Sequence, residues 1–143
     1  MTKDVLVTIS GLQIMSMAED SEPVEVITAG DYYKKNNKHY VIYDEVTEGF
    51  DGTTKNIIKL QEDCVDITKR GITNVHMVFE QGKKNMTYYT TPYGTLQMGI
   101  AATNLELTES EENLHMKADY ALDMNEEHVA DCYLALQVQP RGC

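Results

Sequence analysis

Apolar side chains fall on alternate positions along most of this chain, the period of a strand with one face on a core and one in water. Val5, Val7 and Ile9 share a face opposite Asp4, Thr8 and Ser10. The pattern is cleanest near the end. Leu114, Met116, Ala118, Tyr120, Leu122 and Met124 alternate with His115, Lys117, Asp119, the neutral Ala121 and Asp123. Asn125-Glu126-Glu127 then turns the chain into Ala130, Cys132, Leu134, Leu136 and Val138, again at every second position.

Strands are also predicted over Val24 to Tyr33, His39 to Thr47, Lys55 to Leu60, Val65 to Thr68, Asn74 to Glu80 and Met86 to Thr91. The stretch from Ile14 to Pro23 is polar and irregular and reads as a loop. Asn36-Asn37 marks a hairpin, because Asn tolerates positive φ. Gly49 to Thr53 (GFDGT), Arg70-Gly71 and Gln81 to Lys84 are further turns. Pro92 removes a ladder donor and ends a strand, and Gly94 supplies a conformation closed to other residues, with Tyr93 packing over that corner.

One segment changes phase. Leu96, Met98, Ile100 and Ala102 are even-numbered, whereas Leu105 and Leu107 are odd. A strand keeps both sets on one face only by inserting a residue, so a β-bulge is predicted near Ala102 to Asn104. Such bends let long strands curve as a sheet closes. No helical period survives; the best candidate, Glu109 to Asn113, is too short to matter. The fold expected is all-β: a closed antiparallel up-and-down barrel of eight to ten strands with little helix. Closure removes the exposed edges that so wide a sheet would carry.

At 143 residues the chain reads as a single domain, 1–143, with ordinary hydrophobic and charged fractions. It carries 23 acidic against 12 basic residues, and no basic run exceeds pairs such as Lys34-Lys35 and Lys83-Lys84. That balance argues against nucleic acid and against an anionic membrane surface as partners. Cys64, Cys132 and Cys143 have no metal-ligand spacing; Cys64 and Cys132 read as small buried hydrophobes. With Met-Thr-Lys-Asp leading directly into a strand, a cytoplasmic location is expected.

The segment Met77 to Met98, MVFEQGKKNMTYYTTPYGTLQM, packs a hairpin, a Tyr-Tyr-Thr-Thr strand and a Pro-Tyr-Gly corner into one meander. Through Phe79, Gly82, Tyr89-Thr90-Thr91-Pro92-Tyr93-Gly94 and Leu96, with the long strand around Tyr120 and Leu122, the chain resembles the YwiB-like family. These are small bacterial proteins of a domain-of-unknown-function group. The resemblance implies a calycin (lipocalin-like) β-barrel in the bacterial cytoplasm, with no assigned activity and no catalytic residues to carry over.

Candidate chemistry is sparse. Tyr89 and Tyr93 could line a cavity mouth, or serve only the corner. Met77, Met86, Met98, Met116 and Met124 read as inward-facing, and with Tyr120 would line an interior pocket or simply fill a core. His39, His76, His115 and His128 show no metal spacing on one strand, and His115 faces solvent; no metal or cofactor is expected. Asp44 and Glu45 are neighbours on one strand and so point to opposite faces, which argues against a carboxylate dyad. No Ser-His-Asp, Cys-His or phosphate-loop pattern is present. The leading expectation is a noncatalytic binder of a small, partly apolar molecule inside the barrel, with Tyr89, Tyr93, Met77, Met98, Met116 and Tyr120 as its ligand contacts. The alternative is a solid barrel acting through its outer surface, as an adaptor for a basic partner or as a homodimer across the strand from Val24 to Tyr33. A third reading is an enzyme using Tyr and His at the barrel mouth.

Overall fold

Strand alternation carries through to ten antiparallel strands of one sheet in the computed structural model, which describes residues 3–11, 25–46 and 51–141. They are β1 (Asp4–Ser10), β2 (Glu25–Lys35), β3 (Lys38–Val46), β4 (Thr53–Leu60), β5 (Cys64–Arg70), β6 (Val75–Glu80), β7 (Lys84–Thr91), β8 (Gly94–Glu109), β9 (Leu114–Met124) and β10 (Glu127–Pro140). The loop expected over Ile14 to Pro23, the start of the turn at Gly49 and the terminal Cys143 lie outside the described residues. Among the described residues no helix forms, so none is long and apolar enough to cross a membrane.

Every strand pairs with its neighbours in sequence except β6 with β7, and β1 pairs with β10, so the first and last strands meet. The sheet order runs β6-β5-β4-β3-β2-β1-β10-β9-β8-β7, which leaves one seam, between β6 and β7. That seam is held by an isolated bridge in which Asn74 and Thr90 exchange two N–H···O bonds of 2.8 and 2.9 Å. Asn85 adds a side-chain bond to the Val78 carbonyl at 3.2 Å. The result is a nearly closed barrel.

The predicted bulge is present. Ala102 lies opposite Tyr120 and Asn104 opposite Asp119, so Thr103 is the extra residue. Its hydroxyl donates to the Asp119 carbonyl at 3.2 Å. A second register shift follows His128 in β10, where no phase change marked it in the sequence. Asn36 and Asn37 have φ of 53° and 64°, the turn geometry their identity suggested. Gly94 has φ of 136°, closed to other side chains.

Inward positions form one apolar cluster running through all ten strands. Phe79 meets Tyr120 edge-on, with centroids 5.0 Å apart and planes at 78°. Met77, Met98 and Met116 are buried in it, but Met86 is 48% exposed and points outward, opposite the Gly99 of β8. Cys64 and Cys132 are half-buried rather than buried. Tyr93 stands 78% exposed at its corner.

The inner wall is polar near one end. Tyr43, Asn56 and Lys69 lie in register across β3, β4 and β5, with Glu45 opposite Thr54 two pairs further on. The buried Lys69 ammonium donates to Asn56 at 2.7 Å and to Glu45 at 3.0 Å. The Thr54 hydroxyl is fully buried and makes no hydrogen bond. An unmatched buried hydroxyl is destabilising, and valine has nearly the same shape. Thr54→Val should therefore raise stability by about 1 kcal/mol in urea unfolding. Tyr120 sits 5% exposed on the core face, beside the outward Asp119. Tyr120→Asp should cost more than about 4 kcal/mol by burying an unpaired charge, whereas Asp119→Lys should stay within about 0.5 kcal/mol; equal tolerance of the two would contradict the register.

Candidate functional site

The barrel end that carries the β2–β3 hairpin and the β8–β9 turn gathers side chains of opposite charge around a buried histidine. Register explains why. His39 alternates with Val41 and Tyr43 on the inner face of β3, directly opposite Lys34 of β2. Tyr32, opposite Val41, shares that face. Across the barrel Glu109 lies opposite the buried Leu114 and so points to the inside of the rim. It does so because of Thr103: the bulge shifts Leu105, Leu107 and Glu109 onto the face that Met98, Ile100 and Ala102 hold before it.

The four groups form a chain. The Tyr32 hydroxyl lies 2.7 Å from His39 Nδ1, and His39 Nε2 lies 3.5 Å from Glu109 Oε1. Lys34 Nζ binds Glu109 Oε2 at 3.1 Å. A carboxylate facing Nε2 favours the tautomer with its proton there, so Nδ1 accepts from the phenol. Tyr32 and His39 are 7% and 3% exposed. Burial lowers the His39 pKa, outweighing the opposing pull of Glu109, and Lys34 lowers it further. Burial, then Glu109, raises that of Tyr32. At neutral pH the pair is therefore an uncharged phenol and imidazole under an ion pair. Above them opens a cleft of about 460 Å³, lined by Lys3, Tyr32, Tyr33, Lys34, Glu109, Ser110 and Glu111. Tyr33 faces outward, stacked on Tyr40 with centroids 4.7 Å apart and planes within 9°.

The residues singled out from sequence sit elsewhere. Met77, Met98, Met116 and Tyr120 belong to the apolar cluster, with the Tyr120 phenol pushed up by burial. Tyr89 is buried toward the opposite barrel end, and burial raises its pKa too. Tyr93 is on the turn at that same end, its N–H on the Thr91 hydroxyl at 3.1 Å. None of the six lines the cleft. Neither His39 nor Glu109 stood among the expected ligand contacts, although the phase of His39 with Val41 and Tyr43 places it inside and counting on from the bulge turns Glu109 inward. His76 is exposed and bonds Asp66 at 2.7 Å on the outer face. Among the described residues no group of three His, Cys, Asp or Glu is placed to hold a metal ion.

The family model described as "Domain of unknown function (DUF1934)" matches residues 7–136. The chain is 29% identical over 119 residues to the "Uncharacterized beta-barrel protein YwiB" of Bacillus subtilis (strain 168), covering 81% of this chain and 82% of that protein. The crystal structure of the ywiB protein from Bacillus subtilis superposes with a TM-score of 0.80 at 21% identity, covering 98% of this chain and 93% of that one. The last comparison carries the barrel architecture.

The depressed His39 pKa has a pH signature. Its unfolded-state value is near 6.5, so below that pH the unfolded chain takes up a proton that the folded chain refuses. Stability should fall as pH drops from about 6.5 toward the folded-state pKa and level off beneath it. His39→Gln should remove this component of the slope, measured by urea unfolding at half-unit pH steps; an unchanged slope would mean that His39 titrates normally.

Proposed function

The chain belongs to the DUF1934 family, and on that footing we propose that it binds a small, partly apolar molecule noncatalytically, at the barrel mouth rather than in the barrel interior. One observation carries this reading: a cleft of about 460 Å³, within the roughly 300–1,000 Å³ usual for small-molecule sites, lies over a buried Tyr32–His39–Glu109 chain. The interior is an apolar cluster joined to tyrosine rings, which suits a structural core. At the mouth, two tyrosine rings offer apolar surface beside a few convergent polar groups, the usual composition of such sites.

A second reading is favoured by the relay itself. An imidazole between a phenol and a carboxylate can accept the phenol's proton, so Tyr32 could serve as a base toward a molecule in the cleft.

Native mass spectrometry of freshly purified protein should show a carried mass. Ser110→Trp, on an exposed turn at the cleft wall, should abolish it. The carried ligand should raise stability by roughly 2.7 kcal/mol at a hundredfold excess over its dissociation constant. If no mass is carried and no small-molecule fragment moves NMR resonances of the mouth residues, the binding reading fails. Turnover of a bound fragment that Tyr32→Phe abolishes would replace it with the catalytic one.

A further inference from the structure

We propose that the mouth cleft is built for a zwitterion carrying an aromatic body, of the class of an aromatic α-amino acid; this rests on the mouth being a binding site. The charges around the cleft are segregated by strand. Lys3, whose carbonyl accepts the Tyr32 N–H at 2.8 Å, and Lys34 lie on the β1–β2 side. Glu109 and Glu111 lie on the β8–β9 side. The two cations and two carboxylates cancel, so the cleft is dipolar rather than charged.

Lys34 spans the two sides to reach Glu109 at 3.1 Å. A ligand entering between them has to replace that contact. A lone anion on Lys34 would strand the Glu109 carboxylate over the buried Tyr32 and His39, and would meet Glu111 as a like charge. A lone cation on Glu109 would strand Lys34 beside Lys3. A molecule bearing both charges exchanges the internal ion pair for two of its own: its carboxylate takes Lys34 and Lys3, its ammonium takes Glu109 and Glu111. Sides close enough for a direct salt bridge call for both charges on one short unit, as an α-amino acid holds them. The body follows from the tyrosines. Tyr33 is 45% exposed and held flat by its stack on Tyr40, so it presents a ready ring surface.

The test compares three molecules of nearly one shape, L-phenylalanine, phenethylamine and 3-phenylpropionate, against the full chain by calorimetry and NMR. L-Phenylalanine should bind at least about tenfold more tightly than either single-charge analogue, one charge-assisted contact being worth about that factor. Its resonance changes should centre on Tyr32, Tyr33 and residues 109–111. Lys3→Met and Glu111→Gln, both at exposed positions, should each weaken it about tenfold with the melting temperature unchanged. Equal or tighter binding of the amine or the acid at these residues overturns the zwitterion and keeps the mouth site. Silence from all three, while native mass spectrometry still reports a ligand lost in Ser110→Trp, overturns it in the same way. Silence in both experiments overturns the mouth site as well.

Discussion

One unpaired residue, Thr103, decides which way half of β8 faces. A strand's side chains alternate strictly, so a single insertion exchanges inside for outside for everything beyond it. Before the bulge Met98, Ile100 and Ala102 are inward; after it Leu105 and Leu107 are. Were Thr103 paired as an ordinary strand residue instead of bulged, those leucines would face water, while Thr108 and Glu106 would face the core. Glu109 would leave the rim as well, and the chain of groups from Lys34 to Tyr32 would lose its carboxylate. The same bulge therefore keeps the core apolar and builds the cleft.

Closure of the barrel is uneven. Among the described residues nine of the interfaces between neighbouring strands are ladders, two of them with a register shift, and the tenth, between β6 and β7, is a single bridge with side-chain support. Since Asn74 and Thr90 exchange hydrogen bonds, alternation turns the backbone groups of His76, Val78 and Glu80 toward β7, and those of Met86 and Tyr88 toward β6. The Asn85 side chain takes the Val78 carbonyl, a substitute for a ladder bond. The cleft lies across the β2 and β8 rims, with β2 held on both sides and β8 fixed by β9 up to Glu109 itself.

Much of this was legible in the chain. Period two gave the strands, and the change of phase between Ala102 and Leu105 locates the bulge. Asn36-Asn37 announced its own turn because few residues accept positive φ; Glu126 accepts it at 69°, which its identity does not suggest. Met86 was misassigned because methionine tolerates either face and carries little directional signal. The cleft was not legible, since His39 and Glu109 are 70 positions apart and meet only through barrel closure. Alternation says that each faces inward; it does not say that they face each other. Tyr93 shows the converse, for a distinctive local corner serves the turn, with the Tyr93 N–H on the Thr91 hydroxyl, and stands far from the cleft.

Energetics separate the two polar clusters by role. Lys69 is nearly buried, and its bonds to Asn56 and Glu45 satisfy a charge that would otherwise be costly to hold, so that cluster is fixed by the fold. Lys34 and Glu109 are each more than two-fifths exposed. Pairs so exposed contribute typically well under about 1 kcal/mol, because water screens them and ordering two long side chains opposes them. Their contact is accordingly easy to exchange for another of the same kind. Directly beneath, His39 and Tyr32 stay uncharged because burial outweighs the nearby carboxylate for the imidazole and reinforces it for the phenol. A weak, replaceable ion pair over a neutral, buried floor is a surface that can accept a ligand's charges without rearranging the barrel.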